Sequence, residues 1–116
     1  MDRIARGRVA ERSAEAFLVA QGLVLRARNF RRRFGEIDLI MRDGESLVFI
    51  EVRMRESRSL VSAAESIDFR KRRKLLLTAE AYLQASGWDG PSRFDVVLVD
   101  HEHAIEWITD AFDHDH

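Results

Sequence analysis

Cysteine is absent from the 116 residues. That excludes disulfide stapling, thiolate metal sites and cysteine nucleophiles. Lysine is scarce, with two against 17 arginines. The only proline, Pro91, falls in a turn cluster, Gly87–Ser92. No stretch approaches the run of about 20 apolar residues that a membrane helix needs. The opening Met1–Phe17 holds no uninterrupted apolar run of signal-peptide length. A soluble protein of the cytoplasm, without membrane partners, is the expectation. There are no internal repeats, no low-complexity tract, no Gly-rich phosphate loop and no Ser-His-Asp order.

Composition nevertheless supports a real core: 46% of residues are hydrophobic and 34% charged. The length suits one domain over residues 1–116, with 110–116 expected as a loose polar tail. The net charge of −1 conceals an asymmetry. Residues 1–75 carry 18 basic and 11 acidic side chains, +7, whereas residues 76–116 carry one arginine and nine acids, −8. A basic first portion suits a polyanion, because arginine neutralises phosphates and releases counterions. A dipolar surface with no partner has the same charge pattern.

Periodicity gives the elements. Ala10, Ala14, Phe17 and Leu18 mark a helix from about Ile4 to Gln21, stopped by Gly22. Leu23–Asn29 reads as a strand, followed by a basic loop over Phe30–Phe34. Gly35–Arg42 and Leu47–Arg55 read as strands joined by Asp43-Gly44-Glu45-Ser46, a hairpin signal. Ser59–Ser62 reads as loop. A second helix is expected from about Ala63 to Ser86, with Ile67, Leu75, Ala79, Tyr82 and Leu83 inward. Arg93–Val99 is a strongly apolar strand, expected to be central, and Ala104–Ile108 a short last strand. The expected fold is α/β in the order αβββαββ, a mixed sheet with flanking helices.

The hairpin holds the chemistry. Along a strand, Glu51 and Arg53 share one face, as do Glu36 and Asp38 on the preceding strand. An even-length loop places Asp38 directly opposite Glu51 or one diagonal step away, about 5–8 Å apart. Two carboxylates held close in an apolar hairpin repel each other and are costly to desolvate. A divalent cation relieves both penalties, and Mg²⁺ accepts one or two carboxylates plus waters and a phosphate. An ordinary cross-strand network of Glu36, Asp38, Glu51 and Arg53 fits the same spacing. Glu11 lies in one helix stripe with Ala14 and Leu18, at the border of the apolar face, and Glu15 competes for the inward role.

These residues also carry a family resemblance. Gly7, Glu11, Ala14, Leu18, Gly22 and Asn29 come first in order. The runs Gly35-Glu36-Ile37-Asp38-Leu39-Ile40 and Val48-Phe49-Ile50-Glu51-Val52-Arg53 follow, with Arg55 two residues on. Lys71 and Arg93-Phe94-Asp95-Val96-Val97 complete the set. The ordered set, from Gly7 to about Phe112, resembles the YraN-like family of predicted endonucleases. The resemblance implies the restriction-endonuclease-like fold of the PD-(D/E)xK superfamily, and the helix-borne acid is similar to that of archaeal Holliday-junction resolvases. It implies Asp38 and Glu51 as catalytic, metal-binding acids, Arg53 at the lysine position and Glu11 as an accessory acid. It also implies the Val52 carbonyl as a further ligand of Mg²⁺ or Mn²⁺, and Arg55 and Lys71 at the phosphate backbone. Three departures stand out. Arg53 replaces the usual lysine, Ile37 stands where the superfamily has proline, and Leu60-Val61 replaces an aromatic-Gly pair. Arginine stays protonated and cannot act as a general base, but it can hold an anion by charge-assisted hydrogen bonds.

Arg31, Arg32 and Arg33, with Arg70, Lys71 and Lys74 on the second helix, complete the nucleic-acid-binding candidates; a solvated helix face is the other reading of the helical run. His101, His103, His114 and His116 form a weak ligand pattern. Three functions follow as expectations. The first is a Mg²⁺-dependent endonuclease acting on DNA, including branched or damaged DNA. The second is a degraded nuclease fold that binds nucleic acid or protein without cleavage. The third is a scaffold component. A homodimer fits but no residue pattern identifies an interface.

Overall fold

Side-chain alternation in the strands divides the apolar residues into two sets, and the computed structural model buries each under its own helix. The structure describes residues 3–55 and 68–112. The elements are α1 (Arg3–Ala20), β1 (Val24–Arg32), β2 (Gly35–Asp43), β3 (Ser46–Arg55), α2 (Phe69–Ser86), β4 (Ser92–Asp100) and β5 (Ile105–Ile108). The strands form one sheet in the order β1-β2-β3-β4-β5. Among the described strands only β3 and β4 are parallel, and α2 lies in the connection between them, as a parallel pair requires. Order and mixed sheet agree with the expected restriction-endonuclease-like α/β architecture, and β4 is internal as its apolar run implied.

On one face Ala10, Ala14 and Leu18 of α1 pack on Leu39, Met41, Val48, Ile50, Val97 and Val99. On the other, Leu75 and Ala79 of α2 pack on Ile37, Ile40, Leu47, Phe49, Phe94 and Val96. Burying such side chains stabilises the fold by roughly 1.5–3 kcal/mol each. The hairpin turn is Gly44-Glu45, between the paired Asp43 and Ser46. Gly44 has φ +60°, the backbone that a type II′ turn asks of its first central residue. At Gly35 a Cβ would lie 2.7 Å from Thr78 Oγ1 and 3.2 Å from the Lys74 carbonyl oxygen. Glycine there lets the Lys74–Thr78 turn of α2 sit directly on β2.

Three expectations need correction. β1 does not give way to a loop at Phe30; its ladder continues through Arg31↔Glu36 and Arg32↔Gly35. An edge strand tolerates such charged residues because they face water. α2 starts at Phe69 rather than Ala63. Asp68 is its N-cap, in extended backbone, and Asp68 Oδ1 accepts the Lys71 N–H at 2.8 Å. Residues 56–67, including the expected loop Ser59–Ser62 and the helix start, lie outside the described residues. The tail is not loose at its beginning. The Ala111 N–H donates to the Phe94 carbonyl at 2.7 Å, and Phe112 is buried, stacked on Phe94 at 4.9 Å. An aromatic ring at the open end of a core is worth more packed than solvated. Among the described residues, no helix is long and apolar enough to cross a membrane.

Candidate active site

The acidic site forms where β2 and β3 part company. Their ladder runs from Asp43↔Ser46 to Leu39↔Ile50 and stops one position short of Asp38 and Glu51. Continued in register, it would pair those two residues. At Asp38 the alternation of β2 is interrupted as well: Ile37 joins the α2-side core, while Leu39, two residues on, joins the α1-side core. Freed from the ladder, Asp38 turns its carboxylate to the next strand, and its Oδ2 accepts the Val52 N–H at 2.8 Å.

That one hydrogen bond does not offset what surrounds it. Burial pushes the Asp38 carboxyl up to about 8, and the Glu51 charge adds to the effect; Glu11 and Glu36 raise it further, against the lowering influence of Val52. Asp38 is thus short of positive charge. Glu51 is buried and has a partner: Lys71 Nζ of α2 lies 2.9 Å from its Oε1. Among the described residues, Val52 is the hydrogen-bond partner of Asp38 and Lys71 the ion-pair partner of Glu51.

α1 contributes Glu11, and its neighbour is accounted for. Arg28 grips Glu15 with Nε and Nη2 at 2.6 and 2.9 Å, and that grip holds the Glu15 carboxyl below its ordinary value. Glu11 instead accepts the Asn29 Nδ2–H at 2.8 Å. Asn29 takes a left-handed backbone, φ +50°, which asparagine tolerates better than most residues. A cavity of about 520 Å³ opens between α1 and β1 beside these residues, lined by Arg8, Glu11, Arg12, Glu15, Arg28 and Asn29.

The cross-strand charge network does not form. Glu36 pairs with Arg31 at 3.2 Å. Arg53 is partly buried, and its Nε is buried with no hydrogen-bond partner among the described residues. Arg55 is engaged by Glu106 of β5 at 2.8 Å, and Lys71 by Glu51, so neither is a free surface cation. Arg31, Arg32, Arg33, Arg70 and Lys74 are exposed. Arg32 stacks its guanidinium 4.2 Å over Phe30. His103 Nδ1 lies 3.3 Å from Ser13 Oγ, and His114 and His116 lie outside the described residues.

Sequence reasoning gave no role to Asp95, a fully buried aspartate. It accepts Arg93 Nε at 3.0 Å, Trp107 Nε1 at 2.9 Å and the Asp110 N–H at 2.9 Å. Arg93 also reaches Asp43 at 2.8 Å, so the cluster ties the hairpin turn to β4 and β5. An acid inside the apolar run Phe94–Val99 was the available signal. Asn29 was noticed only as part of a motif.

Comparison with known proteins settles the kinship. Residues 10–99 match a family described as "Uncharacterised protein family UPF0102". The chain belongs to this family. A UPF0102 protein of Methylobacillus flagellatus is 54% identical over 105 residues, covering 89% of this chain and 92% of the relative. A UPF0102 protein of Nitrosospira multiformis is 53% identical over 110 residues, covering 93% and 92%. Among solved structures, this UPF0102 chain resembles Archaeoglobus fulgidus Hjc, a Holliday junction resolvase. The TM-score is 0.52 at 21% identity, with 90% of this chain and 72% of the other covered, which is likeness of fold. The membership agrees with the YraN-like resemblance read from the ordered motifs.

Proposed function

We propose that this UPF0102 protein is a Mg²⁺- or Mn²⁺-dependent endonuclease-like enzyme. It would hydrolyse phosphodiester bonds in DNA, with branched or damaged structures as its substrates. Residues 1–116 would act as one nuclease-like domain. The observation that carries the reading is the starved acid pair: Asp38, pushed up to about 8, beside a buried Glu51. Likeness of fold to a Holliday junction resolvase supports it.

The donor set fits a hard dication. Among the described residues, no group of three or more His, Asp or Glu side chains could hold a metal ion. Mg²⁺ does not need one, since it binds through one or two carboxylates and keeps several waters. The Asp38 and Glu51 carboxylates would hold it, with the Val52 carbonyl as a third candidate and Glu11 nearby. When bound, such an ion lowers the pKa of water and stabilises charge on phosphate.

The chain's own groups do the rest. Asp38, fixed through Oδ2 by Val52, orients its other oxygen. Glu11, held by Asn29, adds negative field on the α1 side. Arg53 would set a permanent positive charge beside the acid pair. Water oxygen bonds to phosphorus as the bond to one flanking sugar oxygen breaks; that oxygen leaves with a proton as a hydroxyl. The products are a phosphomonoester end and a hydroxyl end. Arg31, Arg32, Arg33, Arg70 and Lys74 would hold the DNA backbone.

A second reading is a non-cleaving DNA- or protein-binding module, favoured by Arg53 at the lysine position and by Lys71 already occupying Glu51. The two separate in a cleavage assay with Mn²⁺ on linear, nicked and four-way-junction DNA, beside Asp38→Ala. Cleavage reduced by about 10²–10³-fold in Asp38→Ala supports the enzyme. Salt-sensitive binding with no cleavage of any substrate by the wild type supports the module.

A further inference from the structure

We infer that Lys71 supplies the ammonium of the acidic site from α2, competing with the divalent cation for Glu51 and filling the role that position 53 on the strand does not. This rests on the endonuclease reading for its catalytic part, and on the acid pair alone for its cation-binding part.

Four observations lead there. First, Lys71 lies on the helix face that points inward: Lys71, Leu75 and Thr78 follow at i, i+4 and i+7, and Leu75 and Thr78 are buried. A cation stands where the pattern calls for an apolar residue, while Arg70, Arg73 and Lys74 beside it face solvent. Second, the backbone of this turn is pinned. Asp68 caps the Lys71 N–H, and Thr78 Oγ1 donates to the Lys74 carbonyl at 2.8 Å, directly over Gly35. Third, Lys71 Nζ is the one described partner of a buried carboxylate, 2.9 Å from Glu51 Oε1. Fourth, among the described residues the strand's own cation leaves that carboxylate alone: Arg53 sits two residues from Glu51, yet its buried Nε makes no hydrogen bond there.

The chemistry differs from that of a backbone-binding lysine. An ammonium is a compact charge on a flexible stem with three donors. The Lys71 side chain keeps 42% of its surface exposed, so it can leave Glu51 without dragging core with it. Before a cation arrives it neutralises Glu51. As one arrives, the two positive charges repel, and the released ammonium stays within reach of an anionic substrate. Arg53, planar and partly buried, lacks that freedom.

The test uses the full-length protein as wild type, K71Q, K71R and K71Q/R53K, each checked by thermal unfolding. Mn²⁺ affinity is read by calorimetry, and cleavage on whichever DNA the wild type cuts. Removing the competing charge in K71Q tightens Mn²⁺ binding about fivefold. Cleavage by K71Q nevertheless falls about 10²-fold, and K71Q/R53K, which returns a lysine from the strand, recovers at least about tenfold. Where K71Q does not fold, K71R keeps a cation against Glu51; its cleavage falls about tenfold because the fork does not release as an ammonium does. Unchanged Mn²⁺ affinity in folded K71Q overturns the competition. Wild-type cleavage rates in K71Q or K71R overturn the catalytic role. A wild type that cuts nothing sinks the endonuclease reading instead, and the Mn²⁺ titration still decides whether Lys71 guards the site.

Discussion

Asp38, partly buried, and Asp95, fully buried, are both aspartates inside apolar strands, and they are opposites. Asp95 accepts an arginine fork, an indole N–H and a backbone N–H. Asp38 accepts one backbone N–H and faces another acid. Burial costs the charged form in both places; the surroundings of Asp95 offset that cost and those of Asp38 do not. A buried acid is therefore not in itself a sign of function. What distinguishes the proposed site is the shortage of donors, which a fold tolerates only where something else supplies positive charge.

The contrast can be broken most forcefully at Asp95. Asp95→Ala strands Trp107 Nε1 and the Asp110 N–H and removes the carboxylate that Arg93 grips beside Asp43, so it should cost about 3 kcal/mol or more and lower Tm by roughly 10–20 °C. Chemical and thermal unfolding measure this, and a loss below about 1 kcal/mol would mean that the cluster is ornamental.

Asp38 should do the reverse. Its folded-state value of about 8 lies above its ordinary 3.8. Between those values the folded chain holds a proton that the unfolded chain releases, so stability without metal falls as pH rises from about 4 to about 8. Asp38→Asn removes that slope and is more stable than the wild type at pH 8. Urea titrations at pH 5, 6.5 and 8 in chelator show it; parallel pH dependence in both proteins would contradict the account.

A smaller effect is expected at Asn29, which touches no proposed metal-binding oxygen and positions Glu11. Asn29→Ala should weaken Mn²⁺ binding or cleavage about tenfold while shifting Tm by a few degrees at most. An unchanged Mn²⁺ affinity and rate would leave Glu11 without a part in the site.

Legibility followed physics. The alternation of Leu47 to Val52 and the Asp-Gly turn were enough to set the hairpin register as far as Leu39↔Ile50, one position short of Asp38 and Glu51; the break in alternation at Asp38 was not legible. The two-layer core was equally plain in the spacing of Ala10, Ala14 and Leu18 and in the apolar run of β4. What stayed hidden depended on contacts distant in sequence. Nothing local shows that Lys71 meets Glu51, 20 residues earlier, or that Arg55 is taken by Glu106. The α2 boundary was missed because Asp68 was not recognised as an N-cap. The order of the motifs, rather than any single one, disclosed the family.

The central claim is that Asp38 and Glu51 form a divalent-cation site. Calorimetric titration of Mn²⁺ into wild type and Asp38→Asn near pH 7 tests it directly. The account predicts binding to the wild type with proton release, read as a buffer-dependent enthalpy, because Asp38 holds a proton until the cation arrives. It predicts no binding to folded Asp38→Asn. Equal Mn²⁺ affinity in the two proteins, or none in the wild type, would contradict it.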